Sequence, residues 1–246
     1  MRFDAFSKII SALNSLPLPG IDTQLIMAPP FRAELLQQNK LLKKNAKPAA
    51  VLALFYPDRT MNTNLVLIVR KTSSGVHSAQ VGFPGGKPEL SDQNLEATAV
   101  RETWEEIGVS KDHIKLLFPL TELYIPPSNF IVFPFVGMTA ATPDFKLQPS
   151  EVESIIEIPL HEILDDSKQI FSTVVTSHGP SVRVPAFNFN GHIVWGATAM
   201  ILMELIHLLN SMDHDFTIHS GHGPDTTLSY ELSKNPFLIP LKNKLN

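Results

Sequence analysis

Short apolar runs rich in strand formers alternate with amphipathic stretches along most of this chain. "AAVLALFY" (49 to 56) and "NLVLIVR" (64 to 70) read as buried strands joined by "PDRTMNT". After the Gly/Pro turn "GFPGGKP" the apolar spacing becomes helical, which predicts a helix from about Leu95 to Ile107. Strands are expected near 115 to 124 and 130 to 138. Beyond them come the short "SIIEIPL", a helix near "HEILDD", strands near 169 to 176 and 182 to 189, and a helix from about 195 to 210. Upstream, Phe3, Phe6, Ile10 and Leu13 stand at helical spacing until "LPLPG" ends the segment, so a helix packed on the main body is expected. Mixed strands and helices in this order imply one α/β domain over residues 1–246, with its core at about 45–210 and no obvious internal repeat. The residues after about 210 carry no firm pattern.

The apolar run from Ile193 to Met203 is too short to span a bilayer before Glu204 interrupts it, and reads as a buried helix. With 246 residues, 43% hydrophobic and 18% charged, the chain can bury a substantial core, and it has no low-complexity tract. A net charge of -4 and the lack of a basic, aromatic-laced stripe argue against nucleic acid as a partner. There is no cysteine, which excludes disulfides, thiolate metal sites and thiol nucleophiles and fits a reducing cytoplasm. Asp4 and Lys8 interrupt the first apolar stretch, so neither a secretory signal nor a membrane partner is expected.

The most informative stretch is "RETWEEIGV" (101 to 109). On a helical wheel Val100, Trp104 and Ile107 fall on one side, while Glu102, Glu105 and Glu106 occupy the other. The wheel therefore gives Trp104 a packing role. Neighbouring carboxylates repel by about 0.2–0.5 kcal/mol per pair, a cost that a plain solvated acidic face tolerates. The turn before the helix changes the weighing. Adjacent Gly85 and Gly86 permit close backbone approach, and a tight turn feeding three carboxylates can gather oxygen ligands around Mg²⁺ or Mn²⁺. Other motifs fail on spacing. "GGK" is followed by Pro88 and is no P-loop, "HEILD" lacks a second histidine, and no G-x-S-x-G occurs. His214, His219 and His222 read as loop histidines.

These residues resemble the box of the Nudix hydrolases, G-x5-E-x7-R-E-U-x-E-E-x-G-U with U apolar. Its second half is matched from Arg101 to Val109, with Thr103 in the first apolar place. One extra residue lies between Gly86 and Arg101, and Asp92 stands where the first Glu is expected. Both features, together with F-P-G-G, Thr98 and Ala99, resemble the coenzyme A pyrophosphatase group. So do "TELYIPPSNFIVFPFVG", "PSEVESIIEIPL" and "IVWGATAMIL". That group's upstream motif, L-L-T-x-R-S-x-x-L-R-x-H-x-G-x-V-x-F-P-G-G, is half kept. Arg70, His77, Val81 and Phe83 fit, while Ile68, Lys71, Ser74, Gly75 and Ala79 replace its Thr, Ser, Leu, second Arg and Gly.

The resemblance implies a Nudix α/β/α sandwich, a mixed β-sheet between helices, and metal-dependent hydrolysis of a diphosphate linkage. It implies Mg²⁺ or Mn²⁺ held by Glu102, Glu105 and Glu106 with the Gly86 backbone. Arg101 is expected to fix the carboxylates through charge-assisted hydrogen bonds. Arg70, Lys87 and Gly85 are expected at the diphosphate, and His77 either reaches substrate or caps a turn. Glu151 is a loop candidate for orienting water, weighed against an ordinary surface glutamate. The expected substrate is coenzyme A or a derivative, cleaved to 3′,5′-ADP and phosphopantetheine products. Hydrolysis of ADP-ribose, dinucleotides or nucleoside triphosphates is the alternative, and a non-catalytic nucleotide-binding module is the alternative of another class. A homodimer is left open.

Overall fold

The computed structural model describes residues 1–30, 32, 45–71, 80–174 and 181–211, and the backbone of 217–218 and 226–227. The elements in chain order are α1 (Phe3–Ile9), continued by a 3₁₀ turn over Ile10–Ser15, and α2 (Gly20–Leu25). Strands β1 (Lys47–Pro57), β2 (Thr63–Arg70), β3 (Val81–Gly82) and β4 (Gly85–Gly86) precede α3 (Leu95–Ile107). Next come β5 (Lys115–Pro119), β6 (Leu123–Ile125), β7 (Phe130–Met138), β8 (Val152–Pro159) and α4 (Leu160–Ile163). The described elements close with β9 (Gln169–Val174), β10 (Val182–Phe189), β11 (His192–Trp195), α5 (Gly196–Asn210), β12 (Thr217–Ile218) and β13 (Thr226–Thr227).

The central sheet is mixed. β1 runs parallel to β7 over nine residue pairs, from Lys47 opposite Phe130 to Phe55 opposite Met138, while its other pairings are antiparallel. Alternation along β1 decides what lies on each side, since successive side chains of a strand point to opposite faces. Ala50, Leu52, Leu54 and Tyr56 join Val66 and Ile68 of β2 in a cluster with Ala99 and Ile107 of α3. Ala53 and Phe55 join Leu65 and Leu67 in a larger cluster with Phe3 and Phe6 of α1 and the apolar side chains of α5. Helices thus cover both faces, and the fold is the expected α/β/α arrangement. β9, β10 and β11 form a second, antiparallel sheet.

The hairpin of β1 and β2 shapes the site. The two strands pair only near its turn, at Phe55–Leu65, Tyr56–Asn64 and Pro57–Thr63. Asp58 holds that turn by accepting from the Thr60 and Asn62 N–H groups, each at 2.8 Å. Away from the turn the strands diverge, and residues 81–86 fill the gap: β3 pairs with β2 and β4 pairs with β1. The double glycine is therefore sewn into the sheet.

Two expectations need correction. The run Ile193–Met203 is not one helix. His192–Trp195 is a strand paired with β10, and α5 begins at Gly196, whose φ of +64° breaks the extended backbone. The expected strand at 115 to 124 is two pieces, β5 and β6, each antiparallel to β7. The segment 3–15 begins as an α-helix and tightens to 3₁₀ after Ile9, still burying Phe3, Phe6, Ile10 and Leu13.

On the α5 side, Glu204 is fully buried. It accepts from the Gln24 side-chain amide at 2.7 Å, the Gly20 N–H at 3.2 Å and the Thr121 N–H at 3.2 Å. This carboxylate ties α2 and the start of the β5–β6 connection to α5.

Candidate active site

α3 begins at Asn94, whose side-chain oxygen accepts from the Ala97 N–H at 2.8 Å, and ends at Gly108 in the left-handed conformation. Two carbonyls of its last turn are met from a distant segment: Lys146 N–H donates to Ile107 O and Gln148 N–H to Glu106 O, both at 2.9 Å. The loop carrying Glu151 is thereby docked on the end of the helix, since Glu151 N–H in turn donates to Gln148 O.

The buried face of α3 is not the one expected from the wheel. Ala99, Thr103, Glu106 and Ile107 are buried, whereas Trp104 is 47% exposed, with the Lys111 ammonium 4.8 Å from its ring centroid. Trp104 is thus no core residue. A threonine takes the buried place because its hydroxyl donates to Ala99 O at 2.7 Å, which removes the usual penalty for burying it.

The glycines are required by contact. Gly85 has φ +152°, and a Cβ there would lie 2.6 Å from Val51 Cα of β1. A Cβ on Gly86 would lie 2.7 Å from Glu102 Oε2 and closer still to Oε1, so the Glu102 carboxylate rests on the Gly86 backbone. Glu106 reaches the same turn: its Oε2 accepts from Gly85 N–H at 2.8 Å, and its Oε1 is 3.2 Å from Arg70 Nη2. That same Arg70 nitrogen donates to Gly85 O at 2.7 Å. Arg70 and Glu106 are far apart in sequence, so no spacing pattern announces their pairing.

Arg101 is buried among acids. Its Nε and Nη2 make a two-pronged contact with Asp92, each bond 2.9 Å, and Nη2 also donates to Lys87 O at 2.9 Å. Nη1 donates to Glu105 Oε2 at 2.8 Å and to Glu102 Oε1 at 3.2 Å. Asp92 also accepts from the Thr98 hydroxyl and the Glu89 N–H, both at 2.9 Å. Hydrogen bonds from Arg101, with those of Glu89 and Thr98, hold the Asp92 carboxyl well below the usual range.

The glutamates feel the opposite pressure. Burial pushes Glu106 up to about 7; Arg70 and the Gly85 N–H oppose this, while Glu102 and Glu151 add to it. Burial also raises Glu102, against the pull of Arg101 and with repulsion from Glu105 and Glu151. Glu151 therefore shares the electrostatic field of Glu102 and Glu106. Glu105 is exposed, and Lys87 is exposed with its ammonium 5.5 Å from the Phe130 ring centroid. His77, His214, His219 and His222 lie outside the described residues.

Among the described residues no three acidic or histidine side chains converge closely enough to hold one ion. Arg101 draws Glu102 and Glu105 to itself, while Glu106 is turned to Gly85 and Arg70. The donors nevertheless fit a hard divalent cation, because oxygen ligands on adjacent turns crowd a backbone cradle that a Cβ would fill and raise one another's proton affinity. None of the described helices is long and apolar enough to cross a membrane.

The model of the NUDIX domain family matches residues 46–176. The chain is 32% identical to the "uncharacterized Nudix hydrolase NudL" of Photorhabdus laumondii subsp. laumondii over 177 residues, covering 71% of this chain and 91% of that protein. It is 36% identical to the protein of the same name in Yersinia pestis (strain Pestoides F) over 141 residues, 57% of this chain and 70% of the relative. Among solved structures, the Nudix hydrolase RenU of M. smegmatis is similar at 12% identity over 70% of this chain and 91% of its own, with a TM-score of 0.46. A family match over more than half of the chain, joined to a relative covered nearly end to end, shows that the chain belongs to the Nudix hydrolases, enzymes that act on pyrophosphate bonds.

Proposed function

We propose that the protein hydrolyses the diphosphate linkage of coenzyme A or its derivatives, releasing 3′,5′-ADP and a phosphopantetheine product. The observation that carries this reading is the Asp92–Thr98–Arg101 cluster. The features that set this chain apart from the general box, an aspartate in place of glutamate and a threonine before the R-E pair, bond to each other and to Arg101. The coenzyme A group shares these departures, so they act as one unit that aims the arginine at Glu102 and Glu105.

Nudix hydrolases generally use divalent metal ions; here Glu102, Glu105 and Glu106, with the Gly86 backbone, would hold Mg²⁺ or Mn²⁺. Such an ion, when bound, neutralises diphosphate oxygens and makes water a better nucleophile. Arg101 keeps Glu102 and Glu105 side by side. Gly85 offers its turn to the diphosphate, and Lys87 supplies positive charge beside it. Glu151, in the field of Glu102 and Glu106, accepts the proton of the attacking water as the new P–O bond forms and the anhydride P–O bond breaks.

A second reading, hydrolysis of ADP-ribose, dinucleotides or nucleoside triphosphates, is favoured by Gly75. The coenzyme A motif has an arginine there, and its loss removes a two-pronged phosphate contact. A panel of coenzyme A, ADP-ribose, NADH, diadenosine polyphosphates and nucleoside triphosphates, each with Mg²⁺ and with Mn²⁺, separates the readings. Coenzyme A is expected to give the highest kcat/KM. If ADP-ribose or a dinucleotide exceeds it tenfold or more, on the order of 1.4 kcal/mol in transition-state binding, the second reading replaces the first.

A further inference from the structure

We propose that Arg70 is a positioning residue for Glu106, holding its carboxylate and the Gly85 peptide in one arrangement, and not a contact for the substrate diphosphate. The proposal rests on the reading of Glu106 as a cation ligand and adds a residue that acts through it.

The argument begins with a closed ring of contacts. Arg70 Nη2 donates to Gly85 O, Gly85 N–H donates to Glu106 Oε2, and Glu106 Oε1 returns to Arg70 Nη2. Three elements meet in it: the end of β2, the double-glycine strand β4 and the last turn of α3. Both backbone polar groups of Gly85 are engaged, so neither of its flanking peptide units can rotate without breaking a bond to a charged group. Such bonds are stronger than neutral ones, especially where water is excluded. Glu106 is almost fully buried, while the Arg70 side chain is 35% exposed, so the guanidinium closes the ring from the solvent side.

Local backbone geometry aims Arg70 at this ring. Along β2, Arg70 follows Val66 and Ile68 on the face that α3 covers, and the register with β8 shifts beside it, where Glu153 of β8 is the extra residue. The side chain then passes over Gly82, where an added Cβ would come within 3.9 Å of Nε. The next residue, Lys71, donates its N–H to Glu151 O at 2.8 Å, fastening the same strand end to the loop of the proposed proton acceptor. A guanidinium stays charged throughout the working pH range and offers several donors in a fixed plane. One nitrogen, Nη2, spans a carbonyl and a carboxylate here, so the guanidinium is oriented by the protein's own groups before any substrate arrives.

The test uses the full chain carrying Arg70→Met or Arg70→Lys. Amide exchange at Gly85 is followed by NMR in metal-free protein, and kcat and KM are measured at saturating Mn²⁺ with whichever of coenzyme A or ADP-ribose turns over. In Arg70→Met the Gly85 amide should exchange at least ~10-fold faster while β1 and β7 keep their protection. Its kcat should fall about 10–100-fold, the usual scale for residues that orient metal ligands, with KM within about twofold of wild type. Arg70→Lys should recover part of both losses. If β1 loses protection in Arg70→Met, the lysine variant alone decides, by the same readouts at intermediate size. Unchanged Gly85 exchange, or a KM raised tenfold with kcat intact, overturns the proposal and returns Arg70 to the substrate. Wild-type kcat in Glu106→Gln would sink the cation-ligand reading separately, because the exchange rate at Gly85 reports on Arg70 whatever Glu106 binds.

Discussion

Among the described residues two glutamates are buried, and they are buried differently. Glu204 on α5 receives three neutral N–H groups from two segments, Gly20 and Gln24 of α2 and Thr121 between β5 and β6. Glu106 on α3 receives one N–H from Gly85 and a half-exposed arginine, and it faces two more carboxylates. The first arrangement is complete and fastens elements together. The second leaves negative charge under-compensated beside a backbone cradle, which is what a site needs if a cation is to be drawn into it. Burial alone does not mark a functional acid; the partners do.

The comparison breaks most severely at Glu106. Replacing it with Gln should lower kcat by roughly 100-fold or more, at the upper end of what losing a metal-orienting group costs, with the melting temperature held or raised. Steady-state kinetics beside calorimetry checks both halves. Glu204→Leu should do the reverse. Stranding three buried N–H groups costs on the order of 2–3 kcal/mol, read by urea denaturation, while kcat per folded molecule stays at the wild-type value.

Protons sharpen the contrast. The Glu106 carboxyl is pushed up to about 7 by burial in the folded protein, against 4.5 for an unperturbed glutamate. The folded state therefore binds its proton more tightly than the unfolded chain. This group favours folding at pH below 4.5, and that contribution is lost as pH rises through the window from 4.5 to about 7. Metal-free wild type should lose on the order of 1–3 kcal/mol relative to Glu106→Gln across that interval and nothing further above it. Denaturation midpoints of the two proteins from pH 5 to pH 8 measure the difference. The smallest effect belongs to Trp104→Ala, where an exposed ring and its Lys111 contact are worth about 0.5–1 kcal/mol and kcat is unaffected; a thermal melt and one assay suffice.

Much of this was legible in the residue order. α3 runs from Leu95 to Ile107 as expected, because Asn94 and Gly108 supply caps that local chemistry recognises. The short apolar run of β1, rich in strand formers, told strand from helix, and the two clusters on its faces follow from a strand's alternation. Trp104 misled because a wheel ranks residues by hydrophobicity, whereas the fold buries Thr103 with its hydroxyl satisfied and turns Glu106 inward to the double glycine. The run from Ile193 misled because a glycine within an apolar stretch leaves no mark on periodicity. Gln24 with Glu204, and Arg70 with Glu106, were out of reach for another reason. Such pairings depend on how sheets and helices stack, and spacing along the chain carries no trace of them.

The segment from Lys146 to Glu151 also works as a ruler. Its first residues are stapled to the closing carbonyls of α3 through Lys146 and Gln148, and only Pro149 and Ser150 separate that staple from Glu151. One residue inserted or removed there would shift Glu151 relative to Glu102 and Glu106 while the staple held and the hydrophobic interior stayed undisturbed.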